Sequence, residues 1–117
     1  MTDKIRTMSL REPNLRKIQS GVKTVEIRVR YPNYKDLAVG QLLQFLSGDD
    51  QCLTRIVKLN DYPSFEAMLE NEDPLAIGYE AEITRDQMLE RVRAIYPPKK
   101  EALGVLAIHI EQVAGQG

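Results

Sequence analysis

Eight consecutive residues, Gly21-Val22-Lys23-Thr24-Val25-Glu26-Ile27-Arg28, bring a lysine, a hydroxyl, a carboxylate and a guanidinium close together. Val25, Ile27 and Val29 alternate strictly with Thr24, Glu26, Arg28 and Arg30, which predicts a half-buried strand over Thr24–Arg30. Alternate side chains of a strand share one face, with neighbours ~6–7 Å apart. Lys23 stands at the mouth of that strand. As the floor of a cleft, an ionised Glu26 would accept hydrogen bonds or orient a water, while Lys23 and Arg28 hold an anion. A lysine among cations also serves as a base, so Lys23 and Glu26 could activate water or Thr24. On an ordinary solvated face the same residues would form exposed pairs contributing about 0–1 kcal/mol each.

A second set follows directly. Arg28, Arg30 and Lys35 interleave with Tyr31 and Tyr34, the pairing of phosphate-binding cations and stacking rings that single-stranded nucleic-acid binders use. Tyr31 reads as a turn anchor, whereas Arg30, Tyr34 and Lys35 are candidates to extend a binding surface. His109 reads as structural and Cys52 as a small core residue. One Cys and one His exclude zinc sites built from Cys/His pairs, leaving only hard cations on carboxylates. No glycine-rich phosphate cradle is present, and neither a cofactor nor a metal site is expected.

The elements that must position these residues follow from periodicity and punctuation. Ile5–Leu10 reads as a strand. Pro13 opens a short helix with Leu15 and Ile18 inward, and Gly21 ends it. After the Thr24–Arg30 strand, turn residues run from Tyr31 to Gly40. Gln41–Leu46 and Cys52–Leu59 then form a hairpin about Ser47–Asp50. Ser64 caps a helix bearing Phe65, Met68 and Leu69, and residues 71–80 read as a loop or broken helix. Thr84 and Gln87 form a capping box for a helix with Met88, Leu89, Val92 and Ile95 on one face, stopped by Pro97 and Pro98. Tyr96, Lys99 and Lys100 then read as a frayed basic loop, Ala102–Gln112 as the last strand, and Gly115–Gly117 as a frayed tail. The order predicts an α+β fold, a small mixed β-barrel or curled sheet with flanking helices. At 117 residues the chain is expected to form one domain, over 1–117.

The net charge of -1 argues against a uniformly basic nucleic-acid binder. The total conceals an asymmetry. Residues 1–35 carry nine bases against three acids, and residues 61–90 carry nine acids against Arg85 alone. An anionic partner is therefore expected on the basic front, with the acidic stretch a solvated surface that repels nucleic acid. An alternative is a non-catalytic interaction domain presenting that acidic face to a basic protein. No signal peptide or membrane-spanning run is seen, so a cytoplasmic location and no membrane partner are expected. Oligomeric state is not legible.

The pattern Gly21-x-Lys23-x-x-Glu26-x-Arg28 resembles the signature of the ASCH domain, a relative of the RNA-binding PUA fold. Glu26–Pro32, Asp36–Gly40, Ile95-Tyr96-Pro97 and Gly104–Ile108 resemble a small stand-alone prokaryotic branch of that family, so the likeness spans about Ile5 to Glu111. It implies a PUA-like β-barrel whose signature strand floors a cleft for single-stranded RNA or a nucleoside- or nucleotide-like ligand. For some members it implies hydrolysis. One similar branch is an amidohydrolase that removes the acetyl group of N4-acetylcytidine using a Lys, a Thr and a Glu. Lys23 matches that lysine. Glu26 stands where that branch has its threonine, with Thr24 two residues earlier on the same face. The remaining carboxylate, before the long helix, is Glu80 or Glu82, with Glu82 taken as the catalytic candidate.

Overall fold

The computed structural model describes residues 5–113. Five strands form one mixed sheet in the order β1-β3-β4-β5-β2, with β1 at Arg6–Ser9, β2 at Val25–Val29, β3 at Leu42–Ser47, β4 at Asp50–Tyr62 and β5 at Val105–Gln112. β1 pairs parallel to β3, and the other pairings are antiparallel. The sheet curls into a half-barrel and does not close, since β1 and β2 remain its two edges. β4 makes the curl possible. Its first half pairs with β3 and its second with β5, and the extra residue Val57 bulges out between Ile56 and Lys58 where the register slips.

Alternation along β5 sends side chains to two cores. Leu106, Ile108 and Ile110 join Met8, Phe45, Ile56 and the inward face of helix α1 (Glu12–Gln19), namely Leu15 and Ile18. Val105 and Ala107 face the other way, with Val25 and Val29. There they meet α2 (Phe65–Asn71), α3 (Pro74–Ile77) and α4 (Arg85–Ile95). Ser64 caps α2 and the expected Thr84/Gln87 box caps α4. On α4, Met88 and Val92 are buried, but Ile95 is 68% exposed, because the helix outruns the core it packs on. Beyond it Pro98–Glu101 form a further short helix, α5, where a frayed loop was expected. Lys100 of that helix sits 5.4 Å from the Tyr31 ring and Glu101 accepts from the Phe65 amide, so its C-terminal end is tied to two neighbouring elements. The tail from Gly115 lies outside the described residues.

A polar knot joins the end of α2 to the sheet. The Glu72 carboxylate is buried and accepts from Tyr62 Oη, from Asn60 Nδ2 at 2.8 Å and from His109 Nε2 at 2.8 Å. His109 thus has a structural partner 37 residues away in sequence. Burial alone would raise the Glu72 pKa; the three donors outweigh it and hold the carboxyl below its ordinary value. Burial and the same contact push Tyr62 up to about 12. A depressed carboxyl pKa stabilises the fold above the unfolded value and loses that contribution as pH falls through the folded one. Glu72→Ala is therefore expected to cost about 2–3 kcal/mol at neutral pH by leaving buried donors unpaired. In urea unfolding, the gap between wild type and Glu72→Gln should shrink as pH falls below about 4.5.

Candidate functional site

The gap between the sheet's two edges is a cavity of about 420 Å³. β1 and the start of α1 contribute Ser9, Leu10, Arg11, Asn14 and Lys17; β2 contributes Glu26, Ile27 and Arg28, with Lys23 just before it. The far wall is Ile77, Gly78, Tyr79 and Glu80 after α3, and Arg91, Val92, Ile95 and Tyr96 at the end of α4. Five cations and two carboxylates line it.

Its floor is a chain of three charges. Glu26 is 6% exposed and bridges two cations: Lys23 Nζ lies 3.2 Å from Oε1 and Arg28 Nε 2.6 Å from Oε2. Lys23, 5% exposed, also donates to the Val25 carbonyl at 2.9 Å and the Ile77 carbonyl at 2.7 Å. With two carbonyls accepting its protons and a carboxylate beside its charge, Lys23 fastens β2 to α3 and positions Glu26. Arg28 donates through a terminal nitrogen to the Ser9 carbonyl at 2.8 Å, tying β2 to β1 across the open seam. Burial opposes charge on Arg28, but the adjacent carboxylate more than offsets that and raises its pKa. No partner meets its other terminal nitrogen among the described residues, and Arg28 is one of the residues lining the cavity.

Local backbone explains why the chain delivers these groups here. Gly21 adopts φ +85°, the left-handed turn that takes the chain out of α1 and into the signature strand. Gly78 ends α3 at φ +110°; a Cβ there would lie 3.4 Å from the Lys17 stem and 3.5 Å from the Lys23 stem. Its carbonyl accepts from Lys17 Nζ at 2.7 Å. Burial raises the hydroxyl pKa values of Tyr79 and Tyr96, so both present neutral donors beside the cavity.

Sequence-predicted residues divide plainly. Lys23, Glu26 and Arg28 come together on the floor, buried rather than on a solvated face. Thr24 does not join them. It precedes β2, is exposed, and lines a separate small depression with Gly21, Ile110 and Gln112. Its backbone is tied to Ala76 and Ile110. Of the two later carboxylates, Glu80 lines the cavity, paired bidentately with Arg91, and Glu82 is exposed outside it. Arg30 turns away toward Asp61, 3.5 Å from its Nε. Tyr34 packs against the first core and edge-on to Tyr31, and Lys35 is exposed; neither lines the cavity. Periodicity could have found part of what was missed. Arg11, Asn14 and Lys17 recur every third residue from the cap of α1 along one side of it, flanking the face of Leu15 and Ile18. Tyr79, Arg91 and Tyr96 enter only through tertiary packing.

The ASCH domain family pattern matches residues 8–114. The chain belongs to the ASCH domain family. Its half-barrel is the PUA-like arrangement that the signature implies. The hypothetical protein PH0355 is similar, with 25% identity and a TM-score of 0.82 over 94% of this chain and 100% of that one. Protein PF0455 from Pyrococcus furiosus is 27% identical with a TM-score of 0.74, covering 95% and 99% respectively. An ASCH protein from Zymomonas mobilis shares the fold at 15% identity and a TM-score of 0.64, over 93% of this chain and 70% of that one. No curated protein matched the sequence. Among the described residues no helix of this ASCH domain is long and apolar enough to cross a membrane, and no group of three or more His, Cys, Asp or Glu could hold a metal ion.

The burial of the charge chain sets a stability test. Removing Glu26 strands two buried cations, so Glu26→Ala is expected to cost about 3–5 kcal/mol in urea unfolding. A loss under about 1 kcal/mol would instead mark the pair as a solvent-screened surface contact.

Proposed function

We propose that this ASCH domain recognises single-stranded RNA, or a nucleoside within it, in the seam cavity. The observation that carries this reading is the buried Glu26–Arg28 pair facing a cation-rimmed cavity of about 420 Å³. That volume falls in the range for one small ligand. A carboxylate fixed on both sides accepts from a base amino group without reorganising, and the uncommitted nitrogen of Arg28 donates to a base carbonyl. Arg11 and Lys17 stand at the rim for a phosphate, and Tyr79 and Tyr96 border the cavity as neutral, partly buried rings.

Lys23 has a different part from the one its motif suggests. It holds Glu26 in place rather than gripping phosphate, because it is buried, bonded to two main-chain carbonyls and paired with that carboxylate. The acidic stretch supports local rather than extended contact. Glu66, Glu70 and Glu80 are paired with Arg93, Arg85 and Arg91, which leaves the cavity rim as the electropositive approach.

Few phosphates would therefore be engaged, and binding should be salt-sensitive but shallow in slope. Replacing Arg11 and Lys17 together by Ala is expected to weaken binding of a mixed-sequence RNA hexamer about tenfold, and to reduce the salt slope by about 1. The stability loss should stay near about 1 kcal/mol, because Arg11 is exposed and Lys17 gives up one hydrogen bond, to the Gly78 carbonyl. Fluorescence anisotropy at several salt concentrations measures both quantities, and unchanged affinity with an unchanged slope would overturn the reading.

A further inference from the structure

The free edge of β2 carries a recognition element that no side chain reveals. Across the β2–β5 pair the Ile110 amide donates to the Thr24 carbonyl, and the Arg30 amide donates to the Gly104 carbonyl. In an antiparallel ladder such bonded pairs recur at every second residue. Given the unbroken register, Glu26 and Arg28 therefore direct their N–H and C=O toward β5, while Val25, Ile27 and Val29 direct theirs outward. The outward carbonyl of Val25 accepts from Lys23, and that of Val29 accepts from the Tyr31 amide. Ile27 is the one position of β2 at which both the outward N–H and the outward C=O have no partner among the described residues. Ile27 lines the cavity, between Glu26 and Arg28.

We propose that the main-chain N–H and C=O of Ile27 read the ligand directly, pairing with an adjacent acceptor and donor on the edge of a planar heterocycle such as a nucleobase. This rests on the nucleic-acid reading of the cavity and deepens it. Every standard base presents a ring donor or acceptor beside an exocyclic group of the opposite kind, so the edge fits the class. Glu26 and Arg28 on either side supply one further acceptor and one further donor, and so select among bases. An added polypeptide strand is the other partner a free edge invites, and the geometry disfavours it. Strand addition needs pairs at successive alternate residues. Here the carbonyls on either side, of Val25 and Val29, are capped by Lys23 and Tyr31, the Thr24 amide is bound to Ala76, and Arg28 occupies the Ser9 carbonyl on the opposite edge. The outward acceptor free for pairing is therefore confined to one residue of β2, Ile27. Side-chain periodicity could not disclose this, because it depends on which bonds the ladder leaves over.

The test is NMR on the ¹⁵N-labelled chain, titrated separately with the four ribonucleoside 5′-monophosphates to about 10 mM, where even weak binding is visible. Before ligand is added, the Ile27 amide should exchange with solvent faster than those of Glu26 and Arg28, which the ladder protects. With a bound nucleotide, the Ile27 amide proton should move downfield more than its two neighbours, and its exchange should slow about tenfold or more. Binding seen at other cavity residues with Ile27 unmoved would overturn this inference and leave the cavity reading intact. No binding by any of the four would sink both. Ile27→Pro removes the N–H without breaking a bond to β5, and proline is tolerated on an edge strand. It should lose about tenfold in affinity, roughly one hydrogen bond, while Ile27→Val retains it. Should Ile27→Pro not fold, the amide shifts of the wild-type chain still decide.

Discussion

A carboxylate withdrawn from water between two cations is the constraint on which this structure turns. Placing Glu26 in the wall of a half-barrel carries a desolvation penalty of several kcal/mol, offset only if both oxygens are closely met. Lys23 and Arg28 meet them, and each cation reaches on to a main-chain carbonyl of another element. One acidic side chain thereby organises β2, α3 and β1. The seam between β1 and β2 is spanned by a guanidinium where a closed barrel would have a ladder, and the space beside that guanidinium is the cavity. The signature residues are therefore architectural and exposed to a ligand at once. That dual role explains why a lysine that looks like an anion-binding group is buried between two main-chain carbonyls and a carboxylate.

Charge is partitioned to match. Several carboxylates of the acid-rich half are paired with arginines of α4: Glu70 with Arg85, Glu80 with Arg91, and Glu66 and Glu101 with Arg93. Such exposed pairs contribute little to stability. They do neutralise the surface around the α4 wall, leaving Arg11, Lys17 and Arg28 as the cations beside the opening. The near-zero net charge is thus a local arrangement, with a small cationic mouth on a chain whose remaining charge is net acidic.

Much of this was legible in the chain. Two-residue alternation marked β2 within a residue at each end, the Thr84/Gln87 box and Ser64 cap marked α4 and α2, and the spaced motif marked the site's floor. What escaped depends on contacts distant in sequence. Alternation assigned Glu26 to a charged face but could not show that the face turns inward, which needs α1 and α3 in place. The partners of Lys23 and His109 lie 54 and 37 residues away. Thr24, matched by face alone, falls outside the cavity because the chain is pinned to Ala76 and Ile110 there. Ile95 was read as core from helical period, yet α4 extends past the sheet it covers and leaves Ile95 at the cavity wall.

The central claim, that Glu26 locks Arg28 into a ligand-facing pose, is tested most directly by the Arg28 Nε–H resonance. In the free chain it should be sharp, shifted downfield and slow to exchange, because its proton is held by Glu26 inside the fold. On saturation with a nucleotide that binds, it should remain protected and change shift as the neighbouring nitrogen takes up the ligand. A resonance that exchanges freely with water, or one unmoved by a bound nucleotide, would contradict the account.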